Sequence, residues 1–155
     1  MPIRPTQRPG LEPDAQRKLA VDLFNYTWTL LERDPRTQQD DDLMVHAAHA
    51  CRYLWDEIGE PVNRSRGEWQ ISRVYATLGR AEPALHHARR CLEICEEHAI
   101  GDFDLAYAYE ALARGHAVAG DTDASARYAA QARDAGERIA EQDDRELFEK
   151  DLATI

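Results

Sequence analysis

The sequence predicts an all-α protein of about seven helices, stacked as antiparallel αα-hairpins. Apolar residues recur with the 3.6-residue period of a helix along the chain, and no segment alternates as a strand would. Two similar units carry turn glycines, Gly79 and Gly120, that are 41 residues apart, and such a period is typical of stacked helical hairpins. The segments between helices are two to five residues long, which makes neighbouring helices antiparallel.

Residues 1–13 are predicted to be a flexible arm ahead of a single helical domain, residues 14–155. Four prolines and Gly10 in this stretch block a helix and leave few side chains that can pack. Such an arm can lie across a neighbour.

The first two helices are predicted from their end signals. Asp14 is expected to cap the first helix, which extends to about Arg33. Thr37 followed three residues later by Asp40 resembles a capping box, so the second helix is expected at about 38–58.

Five further helices follow, ended by glycines or short polar turns. Their expected ranges are about 62–79, 81–98, 102–120, 122–140 and 143–152. The last helix is acidic, with Leu147, Phe148 and Leu152 on one side. It is expected to cover the open end of the stack.

Composition narrows the classes of partner. The net charge is −10 without a basic patch, which argues against a nucleic-acid ligand. No apolar run approaches the length of a membrane span, and the first 13 residues do not resemble a secretory leader. Three cysteines cannot all pair within one chain, so reduced thiols in the cytoplasm are expected.

The two central units carry residues of similar type at set intervals. In the first unit these residues are Ile71, Ser72, Tyr75, Gly79, Ala84 and Leu92, and in the second they are Leu112, Ala113, Gly120 and Ala132. A large apolar residue, a small residue, an aromatic residue and a turn glycine in this order resemble the pattern of tetratricopeptide repeats. His116 and Ser125 depart from the pattern, and the period of 41 exceeds the usual length of about 34.

This resemblance covers about residues 62–140. It implies a right-handed superhelical stack with a concave groove, which that family uses to bind peptides or partner proteins. It implies no catalytic residues.

The second helix carries a polar stripe beside its core stripe, formed by Asp42, His46, His49 and Tyr53. Two histidines at i and i+3 can ligate one metal ion, and a carboxylate can add or orient a ligand. The alternatives are a bound organic ligand or acidic group, and a polar helix margin with no ligand.

Glu68 and Glu110 are predicted to be partly buried, because each lies between apolar positions of its helix. Candidate partners for Glu68 are Arg52, Arg66, or His46 with His49. Glu110 has Arg114 four residues on. These carboxylates are either separate structural ion pairs or walls of one polar pocket that includes the two histidines.

The second and third helices should pack antiparallel, which brings Glu68 to the height of His49. A carboxylate that meets two imidazoles would raise the histidine pKa values. Alternatively, His46, His49 and Glu68 would form a three-ligand site for a divalent metal ion.

Two functions follow as hypotheses. The first is a module that binds a protein or peptide and self-associates as a homodimer through the apolar N-terminal hairpin, around Phe24, Tyr26 and Trp28. The second is a small-molecule or metal-binding protein, which could be an enzyme, with its pocket between helices two, three and five. Ligand residues would then come from His46, His49, Arg52, Tyr53, Glu68 and Glu110.

Overall fold

In a computed structural model that describes residues 7–155, the chain forms seven α-helices and no strand. They are α1 Pro13–Leu31, α2 Gln38–Ile58, α3 Pro61–Thr77, α4 Ala81–Glu97, α5 Asp102–Ala119, α6 Thr122–Gly136 and α7 Gln142–Leu152. The all-α prediction is confirmed, and α2 has the predicted range. Residues 1–6 of the predicted arm lie outside the described residues.

Local signals explain most helix ends. At α2 the Thr37 hydroxyl accepts a hydrogen bond from the Asp40 amide at 3.1 Å, and the Asp40 carboxylate accepts one from the Thr37 amide at 3.0 Å. The capping box is therefore confirmed. At α1 the prediction of an Asp14 cap is wrong, because the helix begins at Pro13, whose fixed φ suits the first helical position.

The predicted end of α6 near residue 140 is also wrong. The helix stops at Gly136, and the chain continues in tight turns that place Ile139 in the core beside Phe148 of α7. Burial of Ile139, which is 1% exposed, therefore outweighs continuation of the helix.

The helices pack as three successive hairpins, α1/α2, α3/α4 and α5/α6. The first helices of the hairpins also contact one another, α1 against α3 and α3 against α5, while α7 packs on α5 and α6. The first helices therefore form a continuous layer.

The 41-residue period extends over all three hairpins. Leu30, Ile71 and Leu112 follow it in the first helices, and Ala47, Ala88 and Ala129 follow it in the second helices. All six are buried. The period therefore also covers the N-terminal hairpin, which lies outside the residues that carry the resemblance.

In two of the hairpins, a buried serine hydroxyl links the paired helices at equivalent places. Ser72 of α3 donates to the carbonyl oxygen of Ala84 at 2.8 Å, and Ser125 of α6 donates to that of Ala113 at 2.9 Å. The two pairs are 41 residues apart, with the serine moved to the other helix. Ser125 is thus a compatible replacement for the expected small residue.

The described part of the arm lies on α2 of the same chain. The Arg8 guanidinium sits 4.2 Å from the centre of the Tyr53 ring and pairs with Asp56, and the Tyr53 hydroxyl donates to the Pro9 carbonyl at 2.6 Å.

Three helices end with a residue in the left-handed conformation. Gly79 and Gly120 have φ of 72° and 79°, and Ala99 after α4 has φ of 52°. In each case the next amide donates to a carbonyl five residues back, at 2.9 to 3.0 Å. Ala99 alone of these three carries a Cβ, which this conformation disfavours.

Replacing Ala99 by glycine should raise the free energy of unfolding by about 0.5–1 kcal/mol, because relief of the left-handed strain exceeds the added entropy of the unfolded chain. Urea titration measures the change. Gly79→Ala is the converse control and should lower stability by about 1 kcal/mol. A loss of stability in the Ala99 variant would contradict this account of the α4 end.

Candidate functional site

Glu68 is buried in α3 and has two partners. The Arg52 Nε of α2 donates to Glu68 Oε1 at 3.0 Å, and His87 Nδ1 of α4 lies 2.6 Å from Glu68 Oε2. Gly67 permits this approach, because a Cβ there would lie 2.9 Å from Arg52 Cδ. Burial and the Arg52 partner agree with the sequence-based expectation, while the bonded imidazole is His87.

His87 connects this ion pair to a second pair of side chains. The His49 and His87 ring centres are 5.4 Å apart and nearly perpendicular, and His49 Nε2 lies 2.8 Å from the Tyr75 hydroxyl. Tyr75 stacks parallel to His87 at 6.0 Å. We call Arg52, Glu68, His87, His49 and Tyr75 the His–Glu network.

Burial and neighbouring charged groups both shift the pKa values within the network. Burial would raise the pKa of Glu68, but His87 and the Arg52 guanidinium outweigh it, so the pKa of the carboxyl lies below its ordinary value. Partial burial, followed by the neighbouring His87, lowers the pKa of His49. The predicted rise of a histidine pKa is therefore wrong for His49.

Two other predicted residues of this site do not bond to Glu68 in the described chain. His46 is exposed, and Tyr53 is 42% exposed with the Arg8 guanidinium over its ring. Across residues 7–155, no three His, Cys, Asp or Glu side chains are placed to hold a metal ion. The geometry therefore does not assemble His46, His49 and Glu68 as a metal-ligand set.

Glu110 forms a separate cluster at the other side of α3. It is fully buried, and its Oε1 accepts from Arg114 Nε at 2.7 Å and pairs with Arg73 at 3.4 Å. Its Oε2 has no hydrogen-bond partner among residues 7–155. Arg114 continues to the carbonyl of Asp151 at 3.0 Å and so ties α5 to α7. Glu110 and Glu68 share no partner, which favours two structural ion pairs.

The His–Glu network can act as a proton acceptor. If His87 Nδ1 donates to Glu68, its Nε2 is the basic nitrogen, and the carboxylate fixes this tautomer. His87 is half-buried, and its contact with Glu68 holds the imidazole in a defined orientation.

A second candidate site is a cleft on the layer formed by the first helices of the hairpins. A cleft of about 650 Å³, which we call the groove, is lined by residues of α1, α3, α5 and α7, with Cys91 of α4 also at its wall. Aromatic rings follow one another across it: Trp28 to Trp69 at 5.6 Å, Trp69 to Tyr107 at 5.3 Å, and Tyr107 to Phe103 at 4.6 Å. None of the lining residues belongs to the His–Glu network.

The polar residues of the groove are mostly acidic. Its charged lining residues are Glu32, Asp104, Asp144, Asp151 and Arg66. Arg66 binds both oxygens of Asp104, at 2.7 and 3.1 Å, and the Tyr107 hydroxyl donates to Asp151 at 2.6 Å. Burial, followed by this bond, raises the pKa of Tyr107, so its hydroxyl stays protonated.

Sequence reasoning missed the groove as a site, although one signal was present. Trp28 and Trp69 are 41 residues apart, the same interval as Gly79 and Gly120. Extending the period into the first helix would have placed the two indoles side by side. Tyr107 carries no such signal, because its contact with Trp69 depends on the stacking of α5 on α3.

Comparison of the chain with protein-family models, with curated proteins and with solved structures finds no match to any of them. Among the described helices, none has a stretch long and apolar enough to cross a lipid bilayer.

Replacing Glu68 by glutamine should lower the free energy of unfolding at neutral pH by about 1–3 kcal/mol, because Arg52 and His87 lose a charged acceptor. The lowered pKa of Glu68 means that the unfolded state binds its proton more readily. Wild type therefore loses this contribution as the pH falls through 4.5 and below.

Urea unfolding at neutral pH and near pH 4 measures both effects. The gap between wild type and Glu68→Gln should narrow in acid. Glu57→Gln is the matched control, because Glu57 is an exposed carboxylate, and it should stay close to wild type at both pH values. Equal behaviour of the two variants would show that the ion pair contributes nothing.

Proposed function

We propose that this protein is an interaction module that binds an extended peptide segment of a partner protein in the groove. The observation that carries the proposal is the row of aromatic rings across α1, α3 and α5. Aromatic side chains contribute large apolar contact areas at low entropic cost and dominate many recognition surfaces.

The size and position of the groove support a peptide ligand. Its volume of about 650 Å³ falls within the range of ligand sites and accommodates a few side chains. The resemblance to tetratricopeptide repeats points the same way, because that family binds peptides on its concave surface. α7 adds Asp144, Leu147 and Asp151 to the far wall.

We place the protein in the cytoplasm as part of this proposal. Its three cysteines are free, and Cys91 and Cys95 both contact Ser65 in the interior, at 3.5 and 3.2 Å. Reduced neighbouring thiols suit a reducing compartment.

The groove is tested by selecting random ten-residue peptides on the immobilised protein and titrating the enriched sequences. A Trp55→Phe background leaves Trp28 and Trp69 as the only tryptophans, and both line the groove. Binding should therefore change their fluorescence. In this background, Trp28→Ala should weaken binding about tenfold or more, as expected for a central aromatic contact.

Val21→Ala is the matched control, since Val21 is an exposed apolar residue of the same helix that lies outside both the groove and the stripe of Leu19 and Tyr26. It should bind as the background does. Circular dichroism checks that each variant is folded. Enrichment of no peptide, or equal binding by the Trp28 variant, would refute the proposal.

We also propose that the module self-associates as a homodimer through α1. Phe24 and Trp28, two of the three residues expected at this interface, line the groove, whereas Tyr26 is 41% exposed outside it. Leu19 is 40% exposed and lies seven residues earlier, so the two form one apolar stripe.

Sedimentation at micromolar concentration should give twice the chain mass of 17.6 kDa. Leu19→Glu should give the single-chain mass, because a charge at the centre of an apolar interface is unfavourable. Val21→Glu is the control, since Val21 is equally exposed on another side of α1. A wild-type protein that sediments as one chain would exclude the dimer.

The His–Glu network supports a second candidate function, the binding or turnover of a small molecule at His87. The observation that favours it is the 2.6 Å contact that fixes His87 against a buried carboxylate. The groove is the stronger candidate, because it combines a ligand-sized volume with a continuous aromatic wall.

A further inference from the structure

We infer that the groove binds a basic peptide, with an arginine or lysine side chain seated against the aromatic wall between its carboxylates. This inference rests on the proposed function, because it names the chemistry of the peptide that occupies the same site.

The charge of the groove points to a cation. Arg66 and Asp104 neutralise each other through their two-bond contact. The remaining charged lining residues are Glu32, Asp144 and Asp151, all negative. A cationic side chain would reduce the repulsion among these carboxylates, whereas an acidic peptide would increase it.

Two of these carboxylates form no salt bridge within the part of the chain that the structure describes. Glu32 and Asp144 are exposed, and neither forms a salt bridge anywhere in residues 7–155. Glu32 directly follows α1 and Asp144 lies in the first turn of α7. The unpaired negative charges therefore come from the two outer elements of the groove, with the aromatic rings of α3 and α5 between those elements.

The aromatic wall suits the same ligand. The face of an indole attracts a guanidinium or ammonium group, and tryptophan is the strongest of the aromatic partners. Trp28 and Trp69 lie 5.6 Å apart with their planes tilted by 35°. The aliphatic stem of an arginine or lysine packs on such rings while its charged end reaches a carboxylate.

The test uses three synthetic decapeptide pools that differ only at one central position. The position holds arginine, citrulline or glutamate, and the flanking positions are the same mixture of leucine, valine, proline and serine. Citrulline keeps the shape of arginine and removes its charge. The arginine pool should bind the Trp55→Phe protein about tenfold more tightly than the citrulline pool, and the glutamate pool should bind most weakly.

The carboxylates are tested by the double variant Glu32→Gln, Asp144→Asn. It should lose about tenfold in affinity for the arginine pool, bind the citrulline pool as before, and show a weaker dependence on salt. The matched control is Glu57→Gln, Glu96→Gln, which removes the same charge from two exposed positions outside the groove. It should bind all pools as the parent protein does.

The outcomes separate this inference from the proposed function. Equal binding of the arginine and citrulline pools, or preference for glutamate, overturns the basic peptide and leaves a peptide groove. Equal loss in both double variants also overturns it, because the effect would then come from net charge alone. Ethylguanidinium that binds as tightly as the arginine pool would make the ligand a small cation. Binding by none of the pools and no peptide from the random selection would overturn both.

Discussion

The close crossing of paired helices is the constraint on which the rest of the structure depends. Ala47, Ala88 and Ala129 recur at the 41-residue interval and are all buried, so a small side chain lies at the same place in each hairpin. Where a serine enters this contact, as at Ser72 and Ser125, its hydroxyl donates to the facing helix. Because the two helices are equally close in each hairpin, successive hairpins can stack in the same way.

That stacking explains why the groove lies on the first helices and contains the aromatic residues. α3 contacts both α1 and α5, so side chains on the outer faces of these three helices form one surface that no single hairpin could provide. Trp28, Trp69 and Tyr107 come from three successive hairpins and meet only because of this layer. α7 then packs on α5 and contributes the last wall. The candidate site is thus a consequence of the repeat and of the helix that ends it.

How much could be predicted from the sequence depended on the range of the interaction. The capping box of Thr37 and Asp40 is local, and the sequence placed α2 correctly from it. Burial of Glu68 was predicted from the apolar positions around it, and Arg52 of the preceding helix was one of its candidate partners. The bond from His87 to Glu68 was missed because it needs the register of α4 on α3 as well. Ile139 was missed for a similar reason, since its burial depends on the position of α7.

The carboxylates of this acidic protein differ between the core, where they are buried and paired, and the groove, where two of them are exposed. Buried carboxylates are stabilised by basic partners. Glu68 pairs with Arg52 and His87. Glu110 pairs with Arg114 and Arg73, and Asp40 pairs with Arg33. Such pairing is what burial of charge requires. In the described chain, the carboxylates of Glu32 and Asp144 form no such salt bridge, and they adjoin an aromatic wall on which a cation would be stabilised. Because Glu32 and Asp144 form no salt bridge within residues 7–155, their carboxylates can orient a ligand, whereas the Glu68 and Glu110 charges are already engaged within the fold.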